Sequence, residues 1–344
     1  MADIVMTDDG ISFDGASLER GPLGGAETAF ISMAVALARR GHNVTVKNKC
    51  PSAMEKDGVL WSPLDGGIPE RCDLYIANRS DKLLFCVREA KQAIFWLHNP
   101  AQYLLKFRYL WKLWRRRPII IFSGNYHANS YPKWCPDGGR KIIPYGISEE
   151  FRSVAPQKYA PPPRAIFTSN PQRGLSWLLD VWHCQIHSKM PEAELHIYSG
   201  AATYGTHGAR RAAQMQPILD KAASLRGSNI FLHDPVPKQD LVQVLSQSRV
   251  LVYRGDPGET FCLAVGEAQA AGIPAVVKDI GCVAERIVQG CTGFVEKTDA
   301  EFAKATLNLL KDDALWQRQN GAALETQRQW GWDDAALSFE KLIP

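Results

Sequence analysis

Short apolar runs that alternate with helix-like stretches are the feature of this 344-residue sequence that most limits its fold. Ala2–Met6 reads as a strand, Ala26–Arg40 carries apolar residues close to helical period, and His42–Val46 reads as the next strand. Three later runs are also typical of buried strands: Asp73–Ala77, Ala93–Leu97 and Ile119–Phe122. Because apolar runs without alternation suit strands that are covered on both faces, the first half predicts a doubly wound parallel sheet.

A Pro-rich stretch, Val154–Arg164, separates this region from a second alternation of strands and helices. Such a stretch is stiff and extended, which suits a connection between domains. The elements predicted after it are the strand Ala165–Thr168, the helix Leu175–His187, the strands Glu194–Tyr198 and Asn229–Leu232, the helix Lys238–Gln247, the strand Val250–Tyr253, a helix over about Leu263–Ala271 and the strand Ala275–Lys278.

The sequence therefore predicts an α/β protein with two Rossmann-like domains that face each other across a cleft. We expect the first domain over residues 1–150 and the second over residues 151–327, with a C-terminal helix at about 328–344 packing back on the first. Ligands of such sheets bind beyond the carboxyl ends of the strands. The loops that follow strands are therefore where functional residues are expected.

Composition excludes several classes of protein. With 45% hydrophobic and 22% charged residues, the chain is neither disordered nor a disulfide-rich miniprotein. Its eight cysteines form no C-x-x-C pair and none has a His at zinc spacing, which is typical of a reducing compartment. No apolar run reaches the ~20 residues that span a bilayer, and Met1–Gly10 lacks the pattern of a secretory signal. These features predict a cytoplasmic protein.

The net charge of +4 is concentrated in the first half of the chain. Residues 1–150 carry 20 Lys and Arg against 16 Asp and Glu, and Leu104–Arg117 alone carries six basic residues and no acid. Five apolar residues of this region fall on one helical face: Tyr103, Phe107, Leu110, Trp111 and Trp114. Tryptophans flanked by basic residues are typical of a helix that lies in a membrane surface, so a peripheral membrane contact through Tyr103–Arg117 is predicted. The alternative is a helix packed on the first domain with a solvated basic face; no nucleic-acid-binding motif accompanies it, and we expect no nucleic-acid partner.

The segment Asp256–Pro274 is the most informative about chemistry. Glu259 lies in a loop after a predicted strand, and Glu267 lies in the predicted helix that follows, with seven residues between them. The backbone N–H groups of residues 261–263 would face an anion at the N-terminus of this helix, and Glu267 would reach back toward groups bound there. A ligand with an anionic centre between hydroxyl-rich groups, such as a nucleotide sugar, fits this pattern. Two ordinary surface glutamates at a helix start remain the alternative at this point.

Five segments together resemble the retaining glycosyltransferases of family 4, which have the GT-B fold. Glu259 to Glu267, with the following Ala270–Pro274, resembles the E-x7-E segment of that family. The other four are Gly24–Glu27, similar to a Gly-Gly-x-Glu loop; Ile143–Ile147, similar to I-P-N-G-I/V but with Tyr145 in place of Asn; Gln172–Leu175, similar to a basic-Gly segment; and Glu285, where a Glu often follows the last strand. They occur in the right order across most of the chain.

The resemblance implies a glycosyltransferase of the hexosyltransferase type that uses a UDP-, GDP- or ADP-sugar and retains the anomeric configuration. It implies three catalytic residues: His98 would contact the donor sugar near the reacting carbon, Arg173 would pair with the leaving diphosphate, and Glu259 would face the donor sugar. The residues that it implies for donor binding are Gly24, Gly25, Arg173, Phe261, Cys262, Leu263 and Glu267, the last through the ribose hydroxyls. The acceptor would be a sugar or a lipid-linked precursor of a glycan, reached at the inner face of the membrane.

One departure from the family pattern concerns phosphate binding. The family usually has a second basic residue five or six positions before the one matched by Arg173, and residues 167–169 (Phe-Thr-Ser) occupy that region here. Either phosphate neutralisation is weaker, or Lys278 or Arg254 replaces the missing base. A non-catalytic nucleotide-sugar-binding or membrane-associated scaffold protein of the same fold therefore stays an alternative.

Two further absences from the sequence shape the expectations. No Asp-x-Asp motif is present, so we expect no metal ion and no other cofactor. Gly21–Gly25 does not read G-x-G-x-x-G after the first strand, which disfavours the rival class of dinucleotide-dependent oxidoreductases.

Overall fold

The computed structural model describes residues 1–200 and 205–344, with only the backbone of residues 205–211 included. The chain divides into two compact units. Unit 1 comprises Met1–Glu19, Gly25–Gly146 and Gly331–Pro344, and unit 2 comprises Arg20–Gly24 and Ile147–Trp330. Each unit has its own sheet and its own core.

The sheet of unit 1 has eight strands. They are β1 (Asp3–Thr7), β2 (Asn43–Asn48), β3 (Met54–Lys56), β4 (Val59–Pro63), β5 (Arg71–Asn78), β6 (Glu89–Trp96), β7 (Ile119–Phe122) and β8 (Arg140–Ile142). Their order is β3-β4-β2-β1-β5-β6-β7-β8, and every pair is parallel except β3 with β4. The strand order reverses between β1 and β5, so the loops that follow these strands meet at the carboxyl edge of the sheet.

The described part of unit 2 contains a second sheet of six parallel strands. They are β9 (Arg164–Phe167), β10 (Glu194–Tyr198), β11 (Ile230–His233), β12 (Val250–Tyr253), β13 (Ala275–Lys278) and β14 (Gly293–Glu296). Their order is β11-β10-β9-β12-β13-β14, the Rossmann arrangement with its reversal between β9 and β12. The prediction of two doubly wound parallel sheets is confirmed.

Helices cover both sheets. In chain order they are α1 (Ser17–Arg20), α2 (Gly25–Arg39), α3 (Phe107–Arg116), α4 (Asn125–Asn129), α5 (Glu149–Arg152), α6 (Leu175–Val181), α7 (Gly205–Ser224), α8 (Lys238–Ser246), α9 (Leu263–Ala270), α10 (Asp299–Lys311), α11 (Asp313–Gln327) and α12 (Trp332–Glu340). Helix α7 joins β10 to β11 and no sequence pattern predicted it. Its glycines and the internal Pro217 lower helix propensity, which hid it.

The core of each unit is built from large side chains that the strands and helices bury completely. Phe95 and Phe122 are fully buried in unit 1, as are Phe167 and Trp316 in unit 2. Burial of each such side chain stabilises the fold by ~1.5–3 kcal/mol. The indole N–H of Trp316 donates to the carbonyl oxygen of Arg249 at 2.8 Å, so its burial leaves no unpaired donor.

Candidate functional site

Two loops at the carboxyl edge of the unit 2 sheet bring two of the predicted catalytic residues into contact. Arg173 lies between β9 and α6, Glu259 lies between β12 and α9, and Arg173 Nη1 is 3.1 Å from Glu259 Oε1. Tyr253 Oη donates to Glu259 Oε2 at 2.7 Å. Both carboxylate oxygens of the buried Glu259 are therefore held in place, and the ion pair stands at the point of the sheet where ligands of this fold class bind.

The start of helix α9 has neither a side-chain cap nor an acidic residue in its first turn. Cys262, directly ahead of the helix, is buried and has φ +64°, a left-handed conformation that residues other than glycine rarely adopt. Its side chain makes no capping hydrogen bond, and the first turn, from Leu263 onward, carries no acidic residue. The first N–H groups of a helix have no helical acceptor and carry partial positive charge, so this end of α9 favours an anion.

Glu267 lies one turn further along α9 and is bound by a lysine that sequence reasoning missed. Lys238 Nζ, at the start of α8, lies 2.6 Å from both carboxylate oxygens of Glu267. Glu267 is 3% exposed. The ammonium group of Lys238 also lies 5.7 Å from the ring centroid of Phe151. An ammonium has three N–H donors, so a sugar hydroxyl could donate to Glu267 and accept from Lys238.

Lys278 and Arg254, the two candidates to replace the missing basic residue, differ in the groups that surround them. Lys278 Nζ donates to the carbonyl oxygen of Lys297 at 2.6 Å and to Asp299 Oδ1 at 2.9 Å, so its charge is used within unit 2. The stem of Arg254 instead packs on Gly174, where an added Cβ would lie 2.6 Å from Arg254 Cδ. Arg254 is therefore beside the loop that carries Arg173.

The Gly-Gly-x-Glu segment forms the start of helix α2. Gly24 is buried, Gly25 is exposed and is the first residue of α2, and Glu27 lies in the first turn. Glu27 Oε1 accepts from Arg79 Nη2 at 2.8 Å, and Arg79 also donates to both carboxylate oxygens of Asp8, at 3.1 and 3.2 Å. Burial opposes the charge of Arg79, but attraction to the two carboxylates outweighs it and raises the pKa of the guanidinium.

His98, the third predicted catalytic residue, has both ring nitrogens bonded within unit 1. Its Nε2 lies 2.5 Å from Asn78 Oδ1, and its Nδ1 contacts the hydroxyl group of Tyr145. Because Asn78 Nδ2 donates to Asp8 Oδ2 at 2.6 Å, Asn78 Oδ1 is the acceptor. This network assigns the proton to Nε2, while Nδ1 accepts from Tyr145.

The surroundings of His98 keep its ring neutral. Trp96 and Tyr145 pack on it with ring centroids 4.7 and 5.5 Å away. Burial, followed by the charges of Arg79 and His127, lowers the pKa of His98 well below its ordinary value of 6.5. Tyr145, at the position where the family usually has Asn, thus completes a cage around the histidine.

Helix α3 presents three aromatic side chains to solvent along one stripe. They are Phe107, Trp111 and Trp114, which are 84%, 44% and 64% exposed. Tyr103 and Leu110 were predicted on the same face, and for Tyr103 this prediction is wrong. Tyr103 lies in the separate turn Ala101–Leu105 and donates to the carbonyl oxygen of Arg79 at 3.0 Å, and Leu110 packs half-buried against the core of unit 1.

Four exposed basic residues accompany the three aromatic ones, and together these seven form what we term the α3 patch. The basic residues are Lys106, Arg108, Arg115 and Arg117. Two other basic residues of the segment are held by protein groups: Lys112 pairs with Asp81 at 2.5 Å, and Arg116 donates to the carbonyl oxygen of Val87 at 3.0 Å.

Across the described ranges, no helix has the combined length and apolar character that a membrane crossing requires.

Within residues 1–200 and 205–344, no three His, Cys, Asp or Glu side chains gather as the ligands of a metal ion would.

Comparison with known proteins adds a family match to this geometry. Residues 162–312 match the family model described as glycosyl transferases group 1; this range lies inside unit 2 and contains Arg173, Glu259 and Glu267. D-inositol 3-phosphate glycosyltransferase of Corynebacterium diphtheriae is 34% identical over 140 residues, which are 40% of this chain and 32% of that protein. The same-named protein of Streptomyces avermitilis is 33% identical over 104 residues, 30% of this chain and 22% of the relative. The chain thus covers a third or less of these relatives.

Solved structures match almost the whole chain. Sucrose-phosphate synthase from Thermosynechococcus elongatus has a TM-score of 0.75 at 15% identity, with 99% of this chain and 98% of that chain covered. HepE from Anabaena, solved in complex with UDP-glucose, has a TM-score of 0.73 at 15% identity, with 99% of both chains covered. This likeness establishes the GT-B fold.

Proposed function

We propose that this protein is a glycosyltransferase that moves a sugar from a nucleotide-diphospho-sugar to an acceptor with retention of anomeric configuration. The observation that carries the proposal is the contact between Arg173 and Glu259 at the strand-order reversal of unit 2. A cation at this position suits a diphosphate, and the start of α9 supplies further N–H donors. The match of residues 162–312 to group 1 glycosyltransferases supports the same assignment.

The proposed chemistry is electrostatic stabilisation of the leaving group. As the bond between the sugar and the diphosphate breaks, negative charge grows on the phosphate oxygens. Arg173 and the first N–H groups of α9 stabilise that charge, and such preorganised donors usually supply the largest single catalytic contribution. Glu259, oriented by Tyr253, contacts the donor sugar, and Glu267 with Lys238 binds the ribose hydroxyls.

His98 acts in this proposal as a neutral group. Its ring nitrogens are bonded to Asn78 and Tyr145, and its pKa is lowered by burial. A contact with the donor sugar therefore does not involve proton transfer by the imidazole.

Gly24 and Gly25, at the start of α2, approach the phosphates through their backbone, where a Cβ would obstruct close approach.

The test is donor binding followed by product analysis. We expect one of UDP, GDP and ADP to raise the melting temperature, and the matching sugar nucleotide to be consumed when an acceptor is added. The anomeric configuration of the product, read by NMR, should equal that of the donor. Arg173→Met should lower turnover by at least about tenfold, because a charge-assisted contact worth ~1.5–3 kcal/mol is lost, while Arg318→Met on the exposed face of α11 should leave it unchanged. Binding of NADH but of none of these nucleotides would contradict the proposal.

The second part of the proposal concerns the acceptor. We propose a lipid-linked or glycolipid-precursor acceptor in the synthesis of a glycan, reached at the cytoplasmic face of a membrane. The α3 patch supports this idea: three exposed aromatic rings can insert at the interface, and each of the four exposed basic residues adds ~1 kcal/mol of attraction to an anionic leaflet.

Vesicle sedimentation tests the membrane contact. The protein should bind vesicles that contain phosphatidylglycerol and not vesicles of phosphatidylcholine alone, and raised salt should release it. Replacement of Phe107, Trp111 and Trp114 by serine should abolish binding. The matched control replaces Tyr159 and Val288, which are exposed at 72% and 49% in unit 2. Equal binding of both variants would exclude the patch as the contact.

We further propose that transfer needs no divalent cation, because basic side chains and the start of α9 stand where the diphosphate would lie and the sequence has no Asp-x-Asp motif. Turnover should then persist in EDTA. A strict dependence on magnesium or manganese would overturn this.

A non-catalytic nucleotide-sugar-binding or membrane-associated scaffold is the second candidate. It is favoured by one observation: Lys278, a candidate for the missing base, is bonded to Asp299 and to the Lys297 carbonyl. Slow hydrolysis of the bound donor distinguishes the two, since an enzyme of this kind releases the sugar to water when no acceptor is present and a scaffold does not.

A further inference from the structure

Arg286 is a basic side chain near helix α9 that has no ion pair in the described part of the chain. It ends the short turn Val283–Arg286, which follows β13, and its guanidinium carbon lies 4.3 Å from the ring centroid of Phe261. In the described part of the chain the guanidinium forms no ion pair, and its buried Nε has no hydrogen-bond partner. Arg286 as a whole is partly exposed, but leaving its buried Nε–H without an acceptor is costly, so the arrangement indicates an anion that binds from outside.

The position of Arg286 places this charge at the start of α9. Phe261, on which the guanidinium stacks, is the residue directly before Cys262, and Cys262 directly precedes the helix. Stacking uses the flat face of the guanidinium and leaves its N–H edge available for hydrogen bonds. No acidic residue lies in the first turn of α9 to occupy that edge.

Two buried thiols at this edge, those of Cys262 and Cys282, are within range of the charges of both Arg173 and Arg286. Burial raises the pKa of both Cys262 and Cys282 to about 12. In both cases the positive charges of Arg173 and Arg286 act in the opposite direction and favour the thiolate. The loops after β9 and β13 thus each supply a guanidinium to the loop between β12 and α9.

We propose that Arg286 is a phosphate-binding residue, the second cation that holds the diphosphate of the donor together with Arg173. This inference rests on the proposed function and deepens it. Two N–H groups of a guanidinium match two phosphate oxygens, and the start of α9 adds backbone donors. Arg286 thereby takes the place of the basic residue that is missing before Arg173, and Arg254 and Lys278 are not needed for it.

A purely structural role for Arg286, as a support for the Phe261 ring, makes different predictions. Arg286→Met keeps an unbranched apolar chain on the ring and removes the charge. If the charge serves only a ligand, this variant should be at least as stable as the wild type without ligand, because a buried unpaired charge is gone. If Arg286 serves only the fold, the variant should lose stability and keep its affinity.

The experiment measures binding of inorganic pyrophosphate, UDP, GDP and ADP by calorimetry, with melting temperatures recorded without ligand. For pyrophosphate and for the nucleotide that binds, Arg286→Met should lower affinity by about tenfold or more, and Arg286→Lys by less. Arg318→Met removes an exposed arginine of unit 2 and controls for net charge; its affinity should stay unchanged.

The outcomes separate this inference from the proposed function. Wild-type protein that binds none of the diphosphates overturns both. A wild type that binds one of them, with Arg286→Met binding it equally well, overturns only the role of Arg286. Arg286→Gln is the second neutral variant, and failure of both neutral variants to fold would also overturn the inference, because the guanidinium would then be required by the fold.

Discussion

The two sheets each carry a charged cluster at the carboxyl edge, but the cluster of unit 2 includes a cation that has no ion pair among the described residues. In unit 1, Arg79 is bonded to both Asp8 and Glu27. In unit 2, Arg173 is paired with Glu259, whereas Arg286 lies against the Phe261 ring and has no ion pair among the described residues. The unit 1 cluster and the Arg173–Glu259 pair lie where the strand order reverses, and Arg286 follows β13, the strand next to that point in unit 2.

From this contrast we distinguish a structural network in unit 1 from the binding site that we propose in unit 2. A buried network in which each charge has a partner contributes to stability and gains nothing from a ligand. A buried cation without a partner reduces stability until an anion arrives. We therefore expect substitutions in the unit 1 cluster to change the free energy of unfolding, and substitutions in the unit 2 cluster to change ligand affinity.

The largest expected effect is on the stability of the unit 1 cluster, which consists of Arg79, Asp8 and Glu27. Arg79→Met leaves the fully buried Asp8 and the buried Glu27 without their cation, so the free energy of unfolding should fall by ~3–5 kcal/mol, measured by urea denaturation. The exposed pair of Arg71 and Glu89 provides the control, and Arg71→Met should cost less than ~1 kcal/mol. Equal losses would show that the unit 1 cluster is not the buried network described above.

Glu267, which lies on α9 and is paired with Lys238, should respond through ligand binding because we propose that it binds the ribose. Glu267→Gln keeps the shape of the side chain but weakens its bonds to Lys238 and to a ribose hydroxyl, so affinity for the bound nucleotide should fall by about thirtyfold, or ~2 kcal/mol. Calorimetry with UDP, GDP and ADP measures this. Glu325→Gln, on the exposed face of α11, should bind as the wild type does. An unchanged affinity of Glu267→Gln would refute the assigned role.

The next prediction concerns how the stability of unit 1 depends on pH through His127. Burial lowers the pKa of His127 to about 4 from its ordinary value of 6.5, and the Asn99 carbonyl opposes this only in part. Between these values the unfolded chain binds a proton that the folded chain does not. Stability should therefore fall as the pH drops below about 6.5, by ~1.4 kcal/mol for each pH unit.

Urea denaturation at about pH 7.5, 6.5 and 5.5 measures this slope, to which His98 contributes in the same direction. His127→Gln should have a shallower slope than the wild type. Parallel slopes would mean that His127 already carries its proton in the folded protein at these pH values.

The smallest expected effect concerns the strain ahead of α9. Because Cys262 has φ +64°, glycine should fit its backbone better than alanine. Cys262→Gly should be more stable than Cys262→Ala by ~1 kcal/mol, as measured by thermal unfolding. Both variants lose the thiol, so their difference isolates the backbone term. If Cys262→Ala were the more stable, the left-handed conformation would not be maintained in solution.

The two-sheet architecture could be predicted because it rests on local patterns. Short apolar runs such as Ile119–Phe122 and Val250–Tyr253 are observed as strands at the predicted limits, since a strand covered on both faces needs apolar side chains at every position. Helix α7 escaped prediction because Gly205, Gly208 and Pro217 weaken its local signal. The short β3 and β8 escaped it because edge strands of three residues bury too little to show a pattern.

The sequence by itself determined where Arg173, Glu259 and Glu267 would lie, in and after the loops that follow strands, because chain order fixes which loops end at the carboxyl edge. Only the tertiary structure decided which charges are paired. Arg79 meets Asp8 through neighbouring strands that are far apart in the chain, and Arg286 meets an aromatic ring in place of a carboxylate. Ion pairing depends on distances of a few ångströms between distant residues, and no local pattern of side chains encodes those distances.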